Sequence, residues 1–561
     1  MLFGYLGFSR HAVIHGYSSS VFDYLYRSAQ LIVMQSGDVP QPVPWQLDIA
    51  RFMLPLLAAY TAVQALVSVF NEQLHFIRAR YMKNHLVLCG LGERGFYIAQ
   101  EFLKKGYQVA IIEKDEENPL LERIKNLGAV TVIGDGTDKE VLLKAGVHRA
   151  KYLVTVCADD GVNAEIALQA RDLSPLNKKH TLTAYVHIED YELCALLGGW
   201  SLVSSGSDLF RIEFFNVRER AAQLMLKEYP LTVQSNNAND IKEYVLIIGF
   251  NKLSKSLVLQ AARNRWFENA LDNYRLKFIV VDKNIKDELD MLSIKYPKLT
   301  EVCEFITYRV ELNSAEFEKA DFLYNNEGRC RVSSIFICFD DDASNLIGAI
   351  TLNRTLKHEQ VPVVARMSSD SGLSKLINIG PGVLDLEQVH TFSFLDRTCS
   401  VDAVLGGTFE VLARAIHDAY LAQQGEQGIT LEGNPLILSW DKLPEDFRES
   451  NRRQAAHIEK KLQAIACSIV PLTDWEAAGF IFTLEEIDLM AQMEHERWVE
   501  ERLSQGWRYR DAAKNIRKKT NPNLVKWEQL PENIKEKNRI LVKELPTFLA
   551  KAGFQIYRKS F

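Results

Sequence analysis

The chain has 561 residues, 25% charged and 47% hydrophobic, with a formal net charge of −6. That length exceeds one hydrophobic core, and that balance excludes both a disordered chain and a many-spanning membrane protein. Lys and Arg are interleaved with Asp and Glu, so no basic stripe is offered to a phosphate backbone and nucleic acid is not an expected partner. The eight cysteines (Cys89, Cys157, Cys194, Cys303, Cys330, Cys338, Cys399, Cys467) are scattered, without a C-x-x-C pair or a nearby histidine cluster. They read as reduced, packed thiols rather than a disulfide framework or a zinc site, and no metal is expected.

In chain order, the first signal is an amphipathic run from Val21 to Met34 that ends in Gln35-Ser36-Gly37-Asp38 and a Pro-rich loop. The second is Ile49 to Phe70, about the length needed to cross the hydrocarbon core as a helix, with only Arg51 charged. A buried core helix should carry a polar face, and after Arg51 only Tyr60, Thr61, Gln64 and Ser68 are polar. His75, Arg78, Arg80 and Lys83 follow, so the positive-inside bias predicts an inner-membrane protein with lipid around the span and the residues after about 75 in the cytoplasm. A cleaved signal does not fit a stretch so long and so late. Met1 to Tyr17 is too short for a full outer helix, so that helix is either degenerate or begins before this sequence. The order of run, glycine turn and span resembles the pore region of potassium channels, although of the T-V-G-Y-G filter pattern only Gly37-Asp38 is present. The resemblance implies a membrane segment over 1–83 with a re-entrant helix over 21–38, a span over 49–70, and Ser36, Gly37 and Asp38 at a pore-like turn. A plain interfacial helix is the other reading of the same run.

After the basic collar, HLVLCGLGERGFYIAQEFLKKGYQVAIIEKD predicts strand, glycine turn, helix and strand. In Gly90-x-Gly92-x-x-Gly95, the first glycine permits the tight turn, the second lets backbone N–H groups approach a pyrophosphate, and the third lets helix and strand pack closely. Glu113, closing the second strand, is placed to accept from ribose hydroxyls, which favours an NAD-type ligand over a 2′-phosphorylated one. Two further strand and helix pairs follow, with Gly134-Asp135 ending a third strand. The glycine turn, the terminal acid, the GDGTD and ADDGVN turns and the TAYVHIEDYE strand occur in the order of the regulator-of-potassium-conductance (RCK) domain. The stretch over 84–230 resembles that family, which is shared with the nucleotide-binding subunits of Trk-type potassium uptake systems. The resemblance implies an α/β Rossmann-like fold and a non-catalytic ligand, NAD(H) or an adenine nucleotide (ATP or ADP). Its site residues would be Gly90, Gly92, Glu93, Arg94, Gly95, Glu113, Lys114, Gly134, Asp135 and Asp159, with Asp160 and Asn163 in the same turn as Asp159. A Rossmann fold that has lost its nucleotide is the bland alternative.

EYVLIIGFNKLSKSLVLQAARN opens a second copy over 241–400, and the order of strands repeats. Its turn has become Gly249-x-Asn251-x-x-Ser254, while Asp282 still closes the second strand. A side chain at Asn251 crowds a pyrophosphate, so copy two is expected to be a structural partner. Tandem RCK folds behind a membrane segment match the layout of RCK-gated channels, which implies a homo-oligomer, with a tetrameric ring as its expected form.

The tail repeats too. The thirteen residues from Trp440 to Arg452 align without gaps to those from Trp527 to Arg539, each set preceded by a helical histidine motif, His417-Asp-Ala-Tyr420 or His495-Glu-Arg-Trp498. The second unit, with its ordered H-x-x-W, G-W, P-x-L, W-x-x-L-P and N-R elements, resembles the RyR domain, the repeat first named in ryanodine receptors. The expected layout is an α-helical RyR domain over 484–558 after a degenerate copy over 401–470. His495 and Trp498 one helical turn apart read as packing. The sharper reading is an aromatic pocket of Trp498, Trp507 and Tyr509, with Arg508, Arg510 or Arg539 meeting an anionic ligand. H-E-R-W-V is not H-E-x-x-H, which ends a zincin reading.

The primary expectation is therefore a membrane-anchored, nucleotide-regulated ion-channel-like or potassium-transport regulatory protein, not an enzyme. Its rivals are a signal-activated, non-selective membrane effector that senses a nucleotide second messenger through the tail, and a membrane-tethered NAD-dependent enzyme. No residues offer themselves for the chemistry of that enzyme.

Overall fold

A computed structural model describes residues 2–35, 39–174, 181–190, 192–197, 210–231, 234–235, 241–268, 275–356, 359–370, 372–377, 386, 388–426, 437–472, 479–513, 515 and 517–558. The chain forms two units, Met1–Tyr81 and Met82–Phe561.

In the first unit, α1 (Leu2–His15), α2 (Val21–Gln30) and α3 (Trp45–Tyr81) pack around Phe8, Tyr24, Leu31, Leu47 and Ala50. Ser20 and Asp23 form a capping box that starts α2. The approach of α1 to α3 needs Gly7, where a Cβ would lie 2.7 Å from the Leu47 backbone. The apolar stretch is one long helix that runs beyond Phe70 to Tyr81, because neither glycine nor proline interrupts it after Pro55. Its window Trp45–Leu66 is long and apolar enough to cross a membrane, with mean hydropathy 1.4 and only 11% of that window buried. Phe52, Met53, Leu56, Leu57, Tyr60 and Val63 all face outward. That is not the burial of a core helix in a soluble fold.

The second unit opens with a six-stranded parallel sheet of β1 (Leu86–Cys89), β2 (Val109–Glu113), β3 (Val130–Ile133), β4 (Tyr152–Thr155), β5 (Leu182–His187) and β6 (Phe210–Phe215). The helices that matter here are α4 (Glu93–Lys104), α5 (Asp160–Leu173) and α6 (Val217–Glu228). The strand order is β3-β2-β1-β4-β5-β6, the doubly wound order of Rossmann-type sheets. The second sheet repeats it as β9-β8-β7-β10-β11-β12, with β7 (Tyr244–Ile248), β8 (Leu276–Val281), β9 (Cys303–Tyr308), β10 (Val332–Ile337), β11 (Val363–Met367) and β12 (Val389–Ser393). Its helices are α7 (Lys252–Glu268) after the glycine turn, α8 (Asp342–Thr355), α9 (Phe394–Thr398) and α10 (Val401–Leu405). The central strands β1 and β7 read as continuous apolar runs because both faces of each sheet are covered. The two folds pack on each other through matching helices, α6 against α7 and α4 against α9 and α10. One continuous core, with Phe102 and Met225 from the first fold and Leu257, Phe278 and Phe392 from the second, joins them.

The tail is a pair of like units. The first is α11 (Thr408–Glu426), α12 (Glu445–Ala456), α13 (Ile458–Ala464) and β13 (Cys467–Pro471). The second is α14 (Leu484–Ser504), α15 (Glu532–Lys543), α16 (Leu545–Lys551) and β14 (Phe554–Arg558). The shorter first copy thus carries the three helices and final strand of the second in the same order, while the strand pair Arg508–Tyr509 and Thr520–Asn521 of the second has no counterpart among the described residues of the first. The strands β13 and β14 pair antiparallel, and the middle residues Ile469 and Ile556, which are equivalent in the repeat, stand opposite each other. With α11 on α16 and α13 on α14, the pair has approximate two-fold symmetry around one shared core.

Candidate functional site

The glycine turn of the first fold leaves β1 at Gly90, whose φ of +96° lies where glycine is favoured and whose N–H donates to the Ile112 carbonyl at 3.0 Å. A Cβ at Gly95 would stand 2.1 Å from the Gly90 carbonyl oxygen, so this glycine is fixed by packing. Gly92 differs, because a Cβ there would meet nothing within 4 Å. It is the N-cap of α4, and no side chain caps that helix. The first N–H groups of α4 therefore face open space, which is the arrangement that receives an anion. Glu93, in the first turn of α4, is exposed.

Around the turn, Glu113 accepts from the Leu91 N–H at 2.7 Å and the Asp115 N–H at 2.9 Å, so the terminal acid also ties the loop in place. Its oxygens keep lone pairs for a further donor. Lys114 donates to Asp135 at 2.9 Å across the ends of β2 and β3. That ammonium, with the Thr137 N–H and hydroxyl, holds the Asp135 carboxyl down to about 2. Gly134, at φ +153°, has Val141 packed where a Cβ would go.

Three of the expected residues have structural partners instead. Asp159 caps α5 by accepting from the Val162 N–H at 2.8 Å. Asn163 brackets Cys157 through both its N–H and its carbonyl. Arg94 is paired at 3.1 Å with Glu189, at the end of β5, and Glu189 also binds Arg218. His187, beside this group, is pushed down to about 3 by burial and then by the two arginines. Glu189 and Arg218 were not picked out from the sequence. Glu189 sits in the TAYVHIEDYE run, but nothing there shows that an arginine of the glycine turn meets it.

The second fold keeps the frame and closes the cradle. Asp282 accepts from Phe250 N–H at 2.9 Å and Asn284 N–H at 2.8 Å, as Glu113 does in the first fold. Asn345 brackets Phe339 as Asn163 brackets Cys157. Asn251 stands in the place of Gly92, and its side-chain oxygen accepts from Leu253 N–H at 3.0 Å and Ser254 N–H at 3.3 Å while its amide donates to the Cys338 carbonyl. The start of α7 is capped by the protein itself.

In the tail, His495 Nε2 lies 2.8 Å from the Val525 carbonyl, and its ring stacks on Trp498 and tilts against Trp527. His417 does the same with the Leu438 carbonyl and Trp440, so this is the architecture of both repeats. Arg539 is not brought to the aromatic residues; its guanidinium binds Asp488, Glu532 and Glu536, as Arg452 binds Glu410, Glu445 and Glu449. Trp507 is buried with Arg502 over its ring. Tyr509 is exposed and shares a cavity of about 1010 Å³ with His495 and Trp527, which neither Trp498 nor Trp507 lines. Ser36, Gly37 and Asp38 lie outside the described residues. Among the described residues, no group of His, Cys, Asp and Glu is placed to hold a metal ion.

The architecture is that of a tandem Rossmann-type protein with one open and one self-capped glycine turn, joined to a helical repeat pair. More particularly, residues 86–199 match the TrkA-N domain and residues 483–558 the RyR domain, so the chain carries one region of each kind. It is 37% identical over 100 residues to potassium channel protein 1 of Methanocaldococcus jannaschii, which is 18% of this chain and 29% of that protein. It is 35% identical over 92 residues to a Trk system potassium uptake protein TrkA homolog of Archaeoglobus fulgidus, covering 16% and 20%. The voltage-gated potassium channel Kch of Escherichia coli is 28% identical over 96 residues, covering 17% and 23%. The chain thus spans less than a third of the length of each of these relatives. Among solved structures, the GsuK channel bound to NAD aligns over 72% of this chain and 80% of that chain, at 13% identity and TM-score 0.38.

Proposed function

We propose that this protein is a membrane-anchored regulator of potassium transport, or itself a channel-like pore, whose first Rossmann fold takes NAD(H) or an adenine nucleotide as a regulatory ligand. The observation that carries the reading is the contrast between Gly92 and Asn251: the same backbone frame twice, with the helix start open in one copy and capped in the other. A pyrophosphate would lie on the free N–H groups of α4, and Glu113 would accept from the ribose hydroxyls. Lys114 and Asp135 would flank the adenosine half. Arg94, held by Glu189, is the residue whose partner a phosphate would have to displace, and that exchange would link occupancy to the β5 end of the fold. The potassium channels and Trk uptake proteins that match this region support the transport reading, and the outward-facing apolar surface of α3 supports the anchor. The assembly would be a homo-oligomer, since gating of a pore by such folds needs several copies around it.

The test is potassium flux from liposomes carrying the full chain, with and without NAD, NADH, ATP and ADP. The expected result is a flux that one of these nucleotides changes, that prefers potassium to sodium, and that no longer responds in Gly92→Asp. Nucleotide-insensitive flux, or none in any condition, would overturn the regulatory reading.

A further inference from the structure

A cavity of about 1410 Å³ lies where the first Rossmann fold meets the repeat pair, at the opposite end of β4 from the glycine turn. Its Rossmann wall is formed by the residues that start β2 and β4 and by one face of α6. Its other walls come from α10, α11, α12, α15 and α16. This is the position, between units, where small-molecule sites are concentrated.

The charges are divided unevenly. The Rossmann wall contributes Lys151, Arg220 and Lys227 and no carboxylate. On the repeat side the arginines are answered: Arg452 by Glu410 and Glu445, Arg414 by Asp441, and Arg448 by Glu445. Lys151 lies over the ring of Tyr152, and among the described residues no carboxylate is in ion-pair contact with it, Arg220, Lys227 or Lys551, although Glu445 acts on Lys151 and the buried Glu213 on Arg220 at longer range. The acids left over, Asp402, Asp418 and Glu544, all belong to the other walls. The same cavity is lined by an apolar strip of α11, Ala415, Ala419 and Ala422, at the spacing of one helix face. Small side chains there leave room for a flat or aliphatic body.

We propose that this crevice is a binding site for a small organic anion, phosphorylated or carboxylated. Its charged group meets Arg220, Lys227 and Lys151, and its apolar part lies along the alanine strip. The site is separate from the glycine turn and does not depend on a nucleotide binding there.

Pyridoxal 5′-phosphate is a suitable probe, being an aromatic phosphate whose aldehyde condenses with a nearby lysine amine, losing water, to an imine that borohydride reduces. The full chain is treated at low probe concentration, reduced, digested and mapped by mass spectrometry. Lys151, Lys227 or Lys551 is expected to be modified ahead of the other exposed lysines. That preference should fall by about tenfold or more in Arg220→Glu and in Ala419→Trp, which obstructs the alanine strip, and be unchanged in Gly92→Asp. Arg220→Glu alters a partly exposed side chain and keeps the test decisive if Ala419→Trp fails to fold. Labelling that simply follows exposure, or that survives the Arg220 reversal, would overturn the proposal.

Discussion

At the scale of single residues, Gly92 and Asn251 do opposite work at equivalent positions. Asn251→Ala removes an N-cap and is expected to cost about 1 kcal/mol of stability while leaving nucleotide binding unchanged, which unfolding and titration of one preparation would check. Gly92→Asp should fold normally, because its side chain enters open space and supplies a cap. Glu213 carries a pH prediction. It is buried in β6, and burial, opposed by Arg211 and Arg220, pushes its carboxyl up from 4.5 to about 7. A folded pKa above the unfolded one means that this contribution to stability is full below pH 4.5 and is lost as pH rises through about 7. Glu213→Gln should therefore flatten the decline in melting temperature between about pH 4.5 and 7. His187 acts in the other direction. Its folded pKa lies below 6.5, at about 3, so its contribution is full above pH 6.5 and is lost as pH falls towards 3. The glycines and Glu113 could be read from the sequence because turns and strand ends are local. The engagement of Arg94 could not, since Glu189 reaches it only through the order of the sheet.

At the scale of elements, the repeat pair contains an asymmetry that its approximate two-fold makes visible. Lys461 on α13 and Glu494 on α14 form a buried ion pair at 2.8 Å, with Arg497 and Glu501 continuing the network. On the other side of the axis, the equivalent positions are Phe548 and Ile416, both in the apolar core. Each repeat therefore fits the other better than a second copy of itself: two second repeats would bury Glu494 against Phe548 with only Arg497 of its own helix left to pair with it. Lys461→Met is expected to destabilise the pair by about 1–3 kcal/mol, because it removes the partner of one buried Glu494 oxygen while Arg497 still holds the other. The double variant Lys461→Phe, Glu494→Ile should recover most of that loss. Tryptophan-monitored denaturation of the full chain follows both. The thirteen-residue match disclosed the duplication, but the sequence did not disclose that the copies share a core, because β13 and β14 are short and meet only in three dimensions. The tandem doubly wound order was legible from the repeated strand, turn and helix pattern. The packing of α6 on α7 was not, since an apolar helix face does not name its partner.

At the scale of the whole molecule, the chain joins a helical unit with an outward apolar surface to a unit built from Rossmann folds and repeats. The long apolar helix was legible from hydropathy, and its continuation to Tyr81 followed from the absence of a helix breaker rather than from any apolar signal. If α3 anchors the protein, the full chain should stay with the membrane fraction through alkaline carbonate washing. Replacing Met53 and Leu57 with arginine should release it or prevent its accumulation, as each charge near the bilayer centre costs about 2.5–3.5 kcal/mol. The central claim, however, is that one glycine turn is a working sensor and the other is scaffold. Calorimetric titration of NAD, NADH, ATP and ADP into the full chain in lipid nanodiscs tests it most directly, with Gly92→Asp and Asn251→Ala beside the natural sequence. Saturable binding of one of these ligands, one per chain, lost in Gly92→Asp and kept in Asn251→Ala, is the predicted result. No binding by the folded chain, or binding that survives Gly92→Asp, would contradict it.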